Sequence, residues 1–139
     1  MSEFVYLLTP FLAWLVAGCF KFLINCILAK HLAFNLIGYG GLPSNHSAIV
    51  SSIAALIAFR DGINVPAFGV AIALAFIVIL DACSLRRQVG KHAAAINQLN
   101  KISNQDSVIL RERMGHALIE IMAGVLTGCL VGYVAWCFS

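Results

Sequence analysis

The stretch Ile121-Met-Ala-Gly-Val-Leu-Thr-Gly-Cys-Leu-Val-Gly-Tyr-Val-Ala-Trp-Cys-Phe138 carries no charge over eighteen consecutive positions. At about 1.5 Å of helix per residue such a run covers ~27 Å, close to the roughly 30 Å hydrocarbon layer of a bilayer. It reads as a membrane-spanning helix. Working outward, the same reading recurs. Residues Phe4 to Ala29 hold a single charge, Lys21, and Leu32 to Phe59 hold none, although Gly38, Gly40, Gly41 and Pro43 cut that second run in two. Helices are therefore expected before Lys30 and from about Ser44 to Phe59. After the turn Arg60-Asp61-Gly62, Ile63 to Leu80 is uncharged up to Asp81. Four candidate spans result.

Ten of the fifteen charged residues fall between Asp81 and Glu120, including six of the nine basic ones. That connection is polar, and its middle, Arg86 to Lys101, reads as an interfacial helix with Val89, Ala93, Ile96 and Leu99 on one face. Ser103 to Ser107 reads as a loop, and Val108 as the start of the last helix. The composition agrees: 61% hydrophobic against 11% charged residues leaves too much apolar surface for a water-soluble domain of 139 residues. The expected fold is an all-α integral membrane protein. It is a compact bundle of about four transmembrane helices with an additional interfacial helix, forming one domain over residues 1–139.

Other classes are excluded on similar grounds. A net charge of +3 comes from basic residues scattered among apolar spans, which form no stripe for a phosphate backbone, so no nucleic-acid partner is expected. Cys19, Cys26, Cys83, Cys129 and Cys137 stand singly, with no CxxC and no histidine at zinc-ligand spacing, and read as small hydrophobes. The acidic start MSEFVYLL lacks the basic region of a signal peptide and reads as a retained helix. The positive-inside tendency puts the Arg86 to Arg113 connection in the cytoplasm of a multi-pass inner-membrane protein, and the site described next with it.

Ionisable groups in or beside spans are costly and therefore candidates for function. They are Lys21, His46, Asp81, His116 and Glu120. His116 and Glu120 are four residues apart; on a continuous helix the carboxylate reaches one imidazole nitrogen and leaves the other as a nucleophile or base. The alternative is a plain helix-stabilising pair. In Gly40-Gly41-Leu42-Pro43-Ser44-Asn45-His46-Ser47 a glycine-rich turn enters an apolar helix whose first amides form an anion site beside His46, or Pro43 and Ser44 merely cap it. Lys21 either snorkels or joins that site. Arg86, Arg87 and Arg111 flank the spans as lipid anchors or as a guanidinium clamp for phosphate, with Asp81 placed to hold Arg86 or Arg87. Gly124, Gly128 and Gly132 repeat every four residues, a small face suited to close helix packing within the bundle or in a homodimer.

Taken together, Gly-Gly-Leu-Pro-Ser-Asn-His-Ser-Ala (40–48), Asp-Ala-Cys-Ser-Leu-Arg-Arg-Gln-Val-Gly (81–90), Leu99-Asn100 and Gly115-His-x-x-x-Glu120 resemble the divergent branch of the type 2 phosphatidic acid phosphatases. These are relatives of acid phosphatases and vanadium-dependent haloperoxidases. By this resemblance Lys21 corresponds to the lysine of the first superfamily motif, Pro43, Ser44 and His46 to the second, and His116 with Glu120 to the third. The chain departs from the wider superfamily in having no Arg-Pro after Lys21, Asn45 in place of glycine, Glu120 in place of aspartate, and Leu110 where an arginine precedes the motif-three histidine. Arg111 or Arg113 substitutes there, or Arg86 and Arg87 take over.

The resemblance implies a membrane-embedded hydrolase of lipid phosphates or diphosphates. It makes His116 the nucleophile of a phosphohistidine, Glu120 its orienting partner and His46 the acid and base. Lys21, Ser44, Asn45, Arg86, Arg87 and Arg111 would be phosphate ligands, Asp81 a support, and no metal or other cofactor would be needed. The alternatives are a phosphotransferase, or a small transporter or lipid-phosphate-binding scaffold without turnover.

Overall fold

The uncharged runs form helices, and every regular element is a helix among the residues described by this computed structural model, 4–29, 41–103, 108–112 and 114–139. They are α1 (Phe4–Ala29), α2 (Asn45–Arg60), α3 (Pro66–Leu80), a π-helical turn (Asp81–Leu85), α4 (Arg86–Ile102) and α5 (Leu118–Cys137). The break around Gly38 to Gly40, residues 104–107 of the loop expected at Ser103 to Ser107, and Arg113 lie outside the described residues, while Ser103 caps α4.

Among the described residues three helices are long and apolar enough to cross a membrane: Phe4–Leu28, Pro66–Ile102 and Leu118–Cys137. The fourth expected span, α2, has only 16 residues, about 24 Å of helix, and is the inner element that packs against α1, α3 and α5. Nine of its residues are buried, among them Ser47, Ala48, Ser51, Ser52, Ala54 and Ala55. Protein rather than lipid covers α2, so small side chains suffice, and Ser52 turns its hydroxyl onto the Ile49 carbonyl at 2.8 Å.

The glycine repeat explains the close contact between α2 and α5. A Cβ on Gly124, Gly128 or Gly132 would lie 2.4, 2.4 or 2.5 Å from the carbonyl oxygens of Ser44, Ala48 and Ser52. Two four-residue ladders thus touch backbone to backbone. The glycine face is consumed inside the chain, so a second copy would have to use another surface. At the far end of α2, Gly62 at φ +89 closes the helix with its N–H on Ile57 O, and Tyr6 donates to the Asp61 carboxylate while the Arg60 guanidinium sits 5.0 Å over the Tyr6 ring. These contacts pin α1 to the α2–α3 turn.

Two expectations about the polar connection are corrected. The helix at Arg86 to Lys101 exists, but it is not separate from the third span: it continues α3 through the π turn as one 37-residue helix, ~55 Å long, which outruns the apolar layer. And the last helix begins at Leu118, not Val108. Asn97, buried on α4, accepts from Leu110 N at 2.9 Å and donates to Leu110 O at 2.8 Å and Glu112 Oε1 at 2.9 Å. Those bonds capture the backbone of Leu110, so residues 108–112 run back along α4 without helical hydrogen bonds. Gly90 admits the approach, since a Cβ there would meet Glu112 O at 2.3 Å.

Candidate functional site

Four elements converge at one end of the bundle: the Lys21 region of α1, the start of α2, the π turn after α3, and the start of α5. Ser44 begins α2 as its N-cap, with φ −71 and ψ 116, and its hydroxyl accepts from Ser47 N at 3.4 Å and from the Ser47 hydroxyl at 3.1 Å. Its own amide donates to Glu120 O at 2.9 Å. That bond sews the start of α2 to the start of α5 and places His46 opposite His116. Their ring centroids are 6.3 Å apart, with the planes inclined at 55°.

The His116–Glu120 pair forms, but not as two residues of one helix. His116 precedes the N-cap Ala117, and Glu120 is the third residue of α5. From there the carboxylate turns back, accepting from Ala117 N at 3.0 Å and meeting His116 Nδ1 at 2.8 Å through the same oxygen, Oε2. Glu120 thus serves the backbone at the helix start and the imidazole together. A carboxylate only accepts, so the Nδ1 that faces it carries the proton and Nε2 keeps its lone pair. The two side chains are only 10% and 14% exposed, which strengthens the pairing relative to one in water.

The π turn sets the other half. In it Arg86 N donates to Asp81 O, five residues back, in place of the α-helical partner Ala82 O. Ala82 O receives His116 N at 3.1 Å instead. Gly115, at φ +91, allows the chain to turn there; a Cβ would press on Arg87 N at 3.2 Å and Ala82 O at 3.3 Å. The backbone of His116 is therefore moored on the turn that carries Asp81 and Arg86.

Asp81 Oδ2 holds Arg86 Nε at 2.8 Å, and Arg86 Nη2 lies 3.4 Å from His46 Nε2. A guanidinium only donates, so His46 Nε2 faces it as an acceptor. Of the two arginines weighed for the pairing with Asp81, the structure selects Arg86; Arg87 is exposed and makes none of these contacts. Lys21 stands within Coulombic reach of Glu120 and His46, and its Cγ lies against Gly41. Arg111 is exposed on the returning segment.

Two residues expected as phosphate ligands have different surroundings. Ser44 is fully buried with its amide and hydroxyl both engaged, so it positions α2 rather than touching a ligand. Asn45 packs against α1, its Nδ2 3.8 Å from where a Gly18 Cβ would stand, and its Oδ1 is buried with no hydrogen-bond partner among the described residues. Among the described residues no group of three or more His, Cys, Asp or Glu converges as a metal site requires. Sequence reasoning assigned no role to Gly115 and Ala82, which act through backbone, or to Asn97, whose side-chain amide holds the backbone of Leu110; the one signal was a glycine directly before His116.

What the arrangement can do follows from its polarity. An oriented imidazole nitrogen, a second imidazole across the gap and the cations Arg86 and Lys21 suit an anion that can be attacked at its central atom. The comparisons with known proteins agree in kind. The model of a family described as the "Divergent PAP2 family" matches residues 3–131. A Bacillus subtilis (strain 168) protein described as "Uncharacterized membrane protein YuiD" is 32% identical over 144 residues, covering 92% of this chain and 91% of its own. No solved structure matches. By the extent of the family match and the near-complete coverage of the relative, this integral membrane protein belongs to the divergent PAP2 family.

Proposed function

We propose that the chain is a membrane-embedded phosphatase that hydrolyses the phosphate or diphosphate of a lipid through a phosphohistidine on His116. The observation that carries this reading is the 2.8 Å contact between His116 Nδ1 and Glu120 Oε2, with His46 facing the same imidazole at 6.3 Å. Family membership supports phosphatase chemistry in general terms.

In this reading His116 Nε2 attacks phosphorus, a P–N bond forms and the bond to the lipid oxygen breaks. Glu120 stabilises the imidazolium that results, as a carboxylate does behind any histidine that gains charge. His46 gives a proton to the departing alkoxide, becomes neutral, and then takes a proton from the water that cleaves the phosphohistidine. Arg86 and Lys21 balance the charge on the phosphoryl oxygens. Arg86 turns from His46 to the phosphate on binding, which frees His46 Nε2 to carry the transferred proton.

The sidedness of this site is proposed from charge alone. The end that bears it also carries Arg86, Arg87, Lys91, Lys101 and Arg111, and the positive-inside rule assigns such an end to the cytoplasm. The test of function is phosphate release by purified protein from phosphatidate, phosphatidylglycerophosphate and prenyl phosphates and diphosphates, with chelator present and His116→Ala in parallel. Release that survives the chelator and disappears in the variant is expected. No release from any of these lipids by folded protein would overturn the phosphatase reading and favour anion binding or transport.

A further inference from the structure

A groove of about 910 Å³ runs between α1 and α5, lined along α1 by Phe4, Leu8, Leu12, Val16 and Phe20 at four-residue spacing, and along α5 from Thr127 to Phe138. Its few polar side chains are turned away from any occupant. Thr9 Oγ1 donates to Val5 O at 2.7 Å, Thr127 Oγ1 to Ala123 O at 2.8 Å, and Ser139 Oγ to Trp136 O at 3.0 Å. With those hydroxyls satisfied by their own helices, the lining favours hydrocarbon and offers little to a polar solute.

The position of one end of the groove gives it meaning. Phe20 directly precedes Lys21, and Thr127, where the lining of α5 begins, follows Glu120 by seven residues on the same face of α5. Lys21 and Glu120 are near enough to interact across the two helices. The apolar channel therefore opens beneath the charged cluster and descends from it between two spanning helices. From Phe20 to Phe4 it follows sixteen residues of helix, ~24 Å, further than the roughly 15 Å of one leaflet.

We propose that this groove holds the hydrocarbon tail of a phosphorylated lipid whose headgroup sits between His46 and His116; the proposal rests on the lipid-phosphate reading above. The groove keeps one chain in register with the cluster, so the phosphate arrives at His116 with its tail already anchored in the membrane. Bilayer hydrocarbon is as apolar as this lining, so the groove contributes register rather than transfer free energy, and turnover should be higher for tails long enough to follow the whole channel than for tails that end short of it.

The test uses the full chain in lipid nanodiscs with a single-chain alkyl phosphate carrying a photoreactive group midway along the tail. The corresponding alcohol, identical but without phosphate, is the control. Labelling of α1 and α5 lining residues, several-fold stronger with the phosphate than with the alcohol and retained in His116→Ala, is expected. Equal labelling by both probes would mean ordinary surrounding lipid only and would overturn the proposal, as would phosphate-dependent labelling confined to other helices. In a second arm, Val16→Trp and Val131→Trp fill the groove; phosphate release from a long-chain substrate should fall at least ten-fold while release from a short, water-soluble alkyl phosphate is unchanged. Equal loss on both substrates would also overturn it. Phosphate-dependent labelling without any phosphate release would refute the phosphatase reading and leave the groove standing.

Discussion

Replacing Gly124 by alanine should damage the site more than it damages the fold. The added Cβ would stand 2.4 Å from Ser44 O and 2.9 Å from Ser47 Cβ, where ordinary contacts begin near 3.4 Å. Both neighbours are on α2, and the nearer is backbone, so the two helices must part by about 1 Å. Overpacking of this kind costs about 1–3 kcal/mol. The displacement falls where Ser44 N donates to Glu120 O and where α2 delivers His46. A misplacement of about 1 Å at reacting groups can cost ~100-fold in turnover.

Gly132→Ala is the matched comparison, since its Cβ would meet Ser52 O at a similar 2.5 Å, but eight residues, ~12 Å, further along α5 from the histidines. Both variants should lower the unfolding midpoint in detergent by similar amounts, while phosphate release per folded molecule falls about 100-fold for Gly124→Ala and only a few-fold for Gly132→Ala. Gly69→Ala, with nothing within 4 Å of the new methyl, should leave both measures intact. Equal activity loss in the two α5 variants, or an undiminished midpoint in either, would refute the claim that backbone contact between α2 and α5 sets the distance between the histidines.

Asn97→Leu keeps the volume of the side chain but leaves Leu110 N–H and C=O without their partner, a loss of about 1–3 kcal/mol confined to the returning segment. Hydrogen exchange at Leu110 should accelerate while that of α2 stays unchanged; unaltered protection at Leu110 would contradict the role given to Asn97. The Asp81–Arg86 pair is about one third exposed on both sides and contributes little to stability. Its effect is on orientation, so Asp81→Asn should reduce turnover and add nothing to the loss caused by Arg86→Ala, whereas additive losses would show that the two act separately.

The parts of this molecule that were legible in its sequence are those carried by side-chain character. Apolar runs without charge give spans, because bilayer hydrocarbon imposes a length and a composition that few other structures share. His116, Glu120, His46, Lys21 and Asp81 stand out because a charged or imidazole group beside such runs is rare. What stayed hidden is carried by backbone. Val108 to His116 has the composition of a helix start, yet the capture of Leu110 by Asn97, thirteen residues earlier, ties residues 108–112 to α4 instead. The π turn is likewise invisible, since its residues have no distinctive side-chain pattern and the shift appears only as a carbonyl, Ala82 O, released to His116 N. Spacing also misled while giving the right pair. Four residues between His116 and Glu120 suggest one face of a helix, yet the contact arises because Glu120 reaches back past the N-cap to a histidine outside α5. A histidine in that position is not locked into helical geometry. Its backbone is held by the π turn and its ring by Glu120, while the glycine ladder keeps α5 against α2, the helix that carries His46.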